Sequence, residues 1–203
     1  MTAIIDYDAG NIRSVEKAFR FLGEEAYVTR DRSQILEADR VVLPGVGAFG
    51  DAMGKLCGLG LDEIIWETVD KGTPFLGICL GLQLLFERSE ESGGVAGLGI
   101  LKGEILRIPE KTELKIPHIG WNSLSYPNKS RLMEGIPENS YAYFVHSYYL
   151  QAADTEIVVA TTEYGVQIHA CVEKDNIYAC QFHPEKSSET GLAILKNFIR
   201  FGK

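Results

Sequence analysis

The stretch Pro74-Phe75-Leu76-Gly77-Ile78-Cys79-Leu80-Gly81-Leu82-Gln83 decides how the rest of the chain is read. Pro74–Ile78 is a short apolar run of the kind found in a buried strand, and Leu80–Glu87 carries the pattern of a helix. Between them stands Gly77-Ile78-Cys79-Leu80-Gly81, a Gly-x-nucleophile-x-Gly elbow with cysteine at its centre. A sharp strand-to-helix turn pushes the central residue into an exposed, strained position, and glycines two residues either side let neighbouring elements approach. The helix that follows aims free N–H groups and the positive end of its dipole at the sulfur, which favours thiolate. The Leu80 N–H is then placed to serve an oxyanion. Taken alone, the motif could equally mark a small buried cysteine among packing glycines.

Working outward, the first half alternates strand and helix. Ala3–Asp6, Tyr27–Thr29 and Arg40–Leu43 read as strands. Ile12, Val15, Ala18, Phe19 and Leu22 recur at helical spacing before Gly23, and Ser33–Ala38 and Leu61–Val69 are helical by pattern. This alternation predicts a parallel sheet with helices on both faces. The second half reads as strands: Gly103–Ile108, Trp121–Tyr126, Tyr141–Leu150, Ile157–Thr162, Val166–Glu173 and Ile177–Phe182. Glu173-Lys174-Asp175-Asn176 is a hairpin turn between two of them, and Thr190–Phe201 is a closing amphipathic helix. The expectation is one α/β domain over residues 1–203: a mostly parallel open sheet, with additional antiparallel strands in the C-terminal half.

The totals narrow the chemistry. At 203 residues, 45% hydrophobic and 24% charged, the chain can bury a core. A net charge of -8 argues against a nucleic-acid backbone as partner. No apolar run is long enough to span a membrane, and Met-Thr-Ala-Ile-Ile-Asp is no signal peptide. A cytoplasmic, reducing compartment is therefore expected, with Cys57, Cys79, Cys171 and Cys180 as free thiols. No Cys-x-x-Cys pair occurs and His118, His146 and His169 are scattered, so neither a metal nor a cofactor is expected.

A thiol nucleophile needs a base, and the base needs a third group to fix its ring. Cys180-Gln181-Phe182-His183-Pro184-Glu185 offers both: His183 at the end of a predicted strand, and Glu185 two residues on, with Pro184 limiting the backbone between them. Alone, His183 would more often be an ordinary loop histidine. Pro44-Gly45-Val46-Gly47 follows the third strand and would lie beside the elbow at the carboxyl edge of the sheet. Its bland reading is a tight turn. Its functional reading is a second oxyanion donor, since it has neither the length nor the Lys of a P-loop.

These blocks resemble the class I, or triad, glutamine amidotransferases. Gly77–Gly81 with Gln83, and Phe182–Glu185, match that family's two signatures in the expected order. Asp6–Asn11, Pro44–Gly47, Pro117-His118-Ile119-Gly120-Trp121-Asn122, Phe144-Val145-His146-Ser147-Tyr148 and His183–Ser187 are further similar to the glutaminase subunits of imidazole glycerol phosphate synthase. The resemblance implies that Cys79 attacks glutamine, His183 moves protons and Glu185 orients His183. It implies that Gln83 and the backbone at Ser147 and Tyr148 hold the substrate, and that Val46 or Gly47, with Leu80, stabilises the oxyanion. It further implies that Asn11, His118, Trp121, Asn122, Tyr143 and Lys186 face a (β/α)8-barrel cyclase subunit, which receives ammonia. The Gly-rich Pro44–Gly47 segment beside such a surface leads to the expectation that the ligand-bound partner speeds turnover by completing the oxyanion hole. From the residues alone, Trp121 or Tyr143 could be core aromatics and Lys186 a solvated charge. Rival readings are a glutaminase for anthranilate, aminodeoxychorismate or guanylate synthesis, a γ-glutamyl hydrolase, or a non-catalytic α/β module with an inert elbow.

Overall fold

A computed structural model describes residues 1–110 and 114–202. The first half runs β1 (Thr2–Ile5), α1 (Ile12–Phe21), β2 (Ala26–Thr29), α2 (Arg32–Glu37), β3 (Arg40–Gly45), α3 (Phe49–Gly58), α4 (Leu61–Asp70), β4 (Phe75–Cys79) and α5 (Leu80–Leu84). The second runs β5 (Arg88–Ser89), β6 (Gly103–Arg107), β7 (His118–Ser123), β8 (Tyr141–His146), β9 (Tyr148–Ala152), β10 (Val158–Glu163), β11 (Gln167–Lys174), β12 (Ile177–Cys180) and α6 (Ser188–Ile199). The main sheet has the order β10-β11-β12-β4-β3-β1-β2. Its strands from β12 to β2 are parallel, and β11 joins antiparallel through the hairpin turn at Asp175-Asn176. Smaller sheets, β5-β6-β9 and β7-β8, flank it. This is the α/β architecture expected from the sequence, with the antiparallel strands where the second half placed them.

Both faces of the main sheet are apolar because alternate residues of each parallel strand point into different layers. Ala3, Ile5, Val41, Leu43 and Phe75 pack with Ile35, Leu56, Leu61 and Ile65 on one side. Ile4, Val42, Leu76 and Ile78 pack with Ile12, Val15, Phe19, Leu195 and Phe198 on the other. Among the described residues, no helix is long and apolar enough to cross a membrane.

Several boundaries differ from expectation, each for a physical reason. The helix after the elbow ends at Leu84, not Glu87. Leu84, Leu85 and Phe86 are all fully buried, so apolar spacing there marks burial on every side rather than one helix face. The chain then turns so that the Glu87 N–H donates to Gly103 O at 3.2 Å. Tyr141–Leu150 is not one strand: it breaks at Ser147, where the chain leaves β7 and crosses to pair with β6. The strand expected at Trp121–Tyr126 is His118–Ser123, its register set by pairing from His118↔His146 to Ser123↔Tyr141. Helix α3 gave no sequence signal because Gly50, Gly54 and Gly58 dilute its propensity; it forms by burying Phe49, Ala52, Met53 and Leu56.

The elbow depends on close approach. A Cβ on Gly81 would lie 1.8 Å from the Leu43 carbonyl oxygen, so α5 packs against β3 only because residue 81 has no side chain. Gly54, inside α3, has nothing within 4 Å of its would-be Cβ. Gly81→Ala is therefore expected to destabilise by about 2–3 kcal/mol through overpacking, whereas Gly54→Ala stabilises by about 0.5–1 kcal/mol through helix propensity. Urea unfolding of the two variants checks the opposite signs.

Candidate active site

Strands β3, β4 and β12 end side by side, and their carboxyl ends assemble the site. Gly45, the last residue of β3, pairs with Cys79, the last of β4. Cys79 has φ 55° and ψ -109°, a conformation that L residues rarely adopt, costing about 1–3 kcal/mol. That cost is held in place by the buried strand before it and the close-packed helix after it. Cys79 is 7% exposed at the floor of a cavity of about 250 Å³.

His183 enters from the end of β12. Its backbone N–H donates to Tyr143 O at 3.0 Å, so β8 clamps the segment. Its ring Nδ1 lies 2.8 Å from Glu185 Oε1, and both side chains are essentially buried. The 3₁₀ turn Pro184–Lys186 brings the carboxylate back onto the ring, as Pro184 suggested. Nε2 has no hydrogen-bond partner of ordinary geometry, which leaves it available to a reacting group in the cavity. Burial alone would lower the His183 pKa; the Cys79 sulfur and the Glu185 carboxylate outweigh it and push the pKa up to about 9. At neutral pH the ring is then an imidazolium facing sulfur on one side and carboxylate on the other. Such a set can attack an acyl carbon with sulfur and return a proton to the leaving group.

The residues expected around substrate all line this cavity: Val46, Gly47, Leu80, Gln83, Ser147 and Tyr148, together with Cys79 and His183. Gln83 Nε2 donates to Tyr148 O at 3.1 Å and to Gln181 Oε1 at 3.0 Å.

The residues expected at a partner surface separate into three groups. Trp121 and Lys186 are exposed; Tyr143 is half-buried, its ring edge-on to Trp121 at 6.0 Å. With Ile119 and Tyr141, Trp121 and Tyr143 give β7 and β8 an apolar outer face. Asn11 is exposed but reaches inward, its Nδ2 donating to Glu185 Oε1 at 3.2 Å. Asn122 and His118 point to the inner face: Asn122 Nδ2 donates to Glu163 O at 2.9 Å, and His118 is only 3% exposed, stacked between Phe144 and Tyr164. A surface role for the His118 side chain is thereby corrected, since Phe144 and Tyr164 cover it.

Sequence reasoning missed three residues. Glu91 brings a carboxylate to the cavity wall, and nothing in its surroundings in sequence marked it. Gln181, fully buried, has its Nε2 3.8 Å from Cys79 Sγ. His146 also lines the cavity. The last two lie inside quoted motifs, so a reading by motif passed over them as spacers. The four cysteines are unpaired. Among the described residues no group of three or more His, Cys, Asp or Glu could hold a metal ion.

Known proteins resemble the chain in sequence and in fold. The family model for glutamine amidotransferase class-I matches residues 3–201. The chain is 51% identical to the imidazole glycerol phosphate synthase subunit HisH of Caldanaerobacter subterraneus, over 98% of this chain and 97% of that one. It is 54% identical to the subunit of the same name from Methanothermobacter thermautotrophicus, over 98% of both. A crystal structure of a glutamine amidotransferase superposes with a TM-score of 0.74 at 19% identity, covering 97% of this chain and 98% of the other, which supports the fold alone. The chain belongs to the class-I glutamine amidotransferase family, in the branch of the imidazole glycerol phosphate synthase subunits HisH.

Proposed function

We propose that residues 1–203 form one glutaminase domain that releases ammonia from glutamine through a Cys79 thioester, as the glutaminase subunit of an imidazole glycerol phosphate synthase in histidine biosynthesis. The observation that carries this reading is the buried His183–Glu185 pair, 2.8 Å from Nδ1 to Oε1, beside a cysteine on a strained elbow. The Cys79 thiolate adds to the carboxamide carbon, and the developing oxyanion is met by the Leu80 N–H and by N–H groups of the Val46–Gly47 segment. His183 gives its Nε2 proton to the departing nitrogen, and ammonia leaves. Neutral His183 then takes a proton from water, whose oxygen attacks the thioester; glutamate departs and the thiolate returns. Glu185 holds the ring and balances its charge through both steps. Asn11, by donating to the same carboxylate oxygen, helps to hold Glu185.

The cavity supplies recognition as well. Glu91 is the carboxylate in its wall and fits an α-ammonium group; its Oε2 also accepts from the Phe49 N–H at 2.7 Å, which fixes its rotamer. Gln83 and the Ser147–Tyr148 backbone would take the rest of the amino-acid head. For the ammonia, we assign a (β/α)8-barrel cyclase subunit docking on the outer face of β7 and β8, where Trp121 and Tyr143 sit with Ile119 and Tyr141, and reaching the exposed Lys186 of the Pro184–Lys186 turn. The support is an exposed aromatic surface adjoining the cavity, together with relatives named as synthase subunits. His118 and Asn122 would act on that surface from its inner side. The cytoplasm supplies the reducing conditions that the thiolate needs.

Three outcomes test this reading. Cys79→Ala should abolish glutamate release from glutamine while the assembled synthase still uses added ammonia; glutamate production by the variant would overturn the nucleophile. Glu91→Gln keeps an acceptor for Phe49 and removes the charge, so the KM for glutamine should rise about tenfold, the size of one charge-assisted hydrogen bond, in steady-state glutaminase assays. The third outcome concerns His183, whose pKa stands near 9 against an ordinary 6.5. A pKa raised by folding gives stability that is complete below the unfolded value and lost as pH rises through the folded one. Wild type should therefore lose stability between pH 6.5 and about 9. In Cys79→Ala, NMR should find the His183 midpoint lower and thermal unfolding should show a shallower loss.

A further inference from the structure

We infer that His146 and His118 are positioning residues: both in the Nδ1–H form, they hold the Tyr148 carbonyl and thereby fix the cavity wall on which Gln83 is set. What that wall binds is taken from the glutaminase reading above; how the two rings are protonated follows from the hydrogen bonds alone.

His146 Nδ1 lies 2.9 Å from Tyr148 O. A carbonyl oxygen only accepts, so Nδ1 must carry hydrogen. At the other end, Asn122 Oδ1 accepts from the Ser123 N–H at 2.9 Å, which fixes which way the amide points. Asn122 Nδ2 then donates one hydrogen to Glu163 O at 2.9 Å and directs the other at His118 Nε2, a longer contact of 3.4 Å. His118 Nε2 is therefore an acceptor and His118 Nδ1 a donor. Between the rings, His118 Nδ1 and His146 Nε2 stand 3.0 Å apart. One proton fits there, and it belongs to His118. Each proton in the row from Asn122 to Tyr148 is assigned without conflict.

The surroundings keep the row uncharged. Burial lowers the pKa of His118 to about 4 and that of His146 to about 3, the latter also depressed by the positive charge of His183. His118 is stacked between Phe144 and Tyr164, with ring centroids 4.9 and 3.9 Å away. A neutral donor beside an imidazolium can hold a carbonyl without competing for the carboxylate that the imidazolium needs.

What the row holds lies at the site. Tyr148 follows Ser147, where the chain crosses from one small sheet to another and the strand pairing is interrupted. Its carbonyl accepts from His146 and from Gln83 Nε2, whose other hydrogen goes to Gln181; Gln181 Nε2 is in turn 3.8 Å from Cys79 Sγ. Without His146, Gln83 would be, among the described residues, the one remaining side chain on that carbonyl, and the Tyr148–Tyr149 peptide could rotate away from its present setting.

The test has two readouts in the synthase assembled with its cyclase subunit. Ring ¹⁵N shifts of wild type should show His118 and His146 as Nδ1–H tautomers; an Nε2–H form at either ring overturns the inference, even if no variant folds. In steady-state kinetics, His146→Leu should raise the KM for glutamine about tenfold, the worth of one buried hydrogen bond, with kcat within about threefold. His146→Asn, which restores an N–H near the Nδ1 position, should bring KM most of the way back. An unchanged KM in folded His146→Leu, a fall in kcat alone, or no recovery in His146→Asn would each overturn it. Wild type that releases no glutamate defeats the proposed function instead, and the tautomers alone then decide the inference.

Discussion

The constraint on which the rest depends is the absence of a side chain at residue 81. With the Leu43 carbonyl 1.8 Å from where a Cβ would stand, α5 can lie against β3 only through bare backbone. That contact sets the angle at which the chain leaves β4, and the angle puts Cys79 at φ 55°. Gly77 has the matching role on the other side of the turn, since a Cβ there would meet the Gly81 carbonyl group at 2.8 Å. The strain at Cys79 is supported by two fully buried neighbours in sequence space, Leu76 and Leu82, whose removal from water outweighs a local cost of about 1–3 kcal/mol. A reactive sulfur at the carboxyl edge of the sheet is the result of packing decided elsewhere.

The electrostatics then follow from burial. A cationic imidazole, a carboxylate and a sulfur are held together where little water reaches, so each charge is screened less than it would be at the surface. His183 gains a proton from this arrangement, while His146 and His118 lose theirs. The difference lies in partners: Glu185 stands against His183, whereas carbonyl oxygen, amide and a second imidazole surround the other two. Three histidines within one small region thus divide into one proton carrier and two fixed donors.

How much of this could be read from the sequence varied with the range of the interaction. Local signals served well: the elbow needs glycines at fixed offsets, and Pro184 limits where Glu185 can go. The parallel sheet was legible because strand and helix periods alternate over the first half. Where burial surrounds the chain, periodicity fails, which is why α5 ends at Leu84 rather than Glu87. Where glycines dilute propensity, a helix such as α3 is held by tertiary packing and leaves no local trace. Glu91 and Gln181 reach the cavity through contacts across 42 and 102 residues of sequence, and spacing carries no information at that distance. His118, expected at a partner surface and lying outside the strand expected at Trp121–Tyr126, is the first residue of β7, and its pairing with His146 turns its ring to the inner face.

That register also explains why an outer surface and an inner site can be joined so directly. Along β7 and β8, Ile119, Trp121, Tyr141 and Tyr143 face outward, while His118, Asn122, Phe144 and His146 alternate with them toward the interior. The same strand gives its Tyr143 carbonyl to the His183 N–H and its Tyr143 N–H to Ser187 Oγ at 2.9 Å. The Ser187 hydroxyl closes the loop by donating to His183 O at 2.7 Å. The outer face and the inner site are thus two sides of one ribbon, whose Tyr143 backbone holds the His183 clamp and whose His146 ring holds the wall at Tyr148.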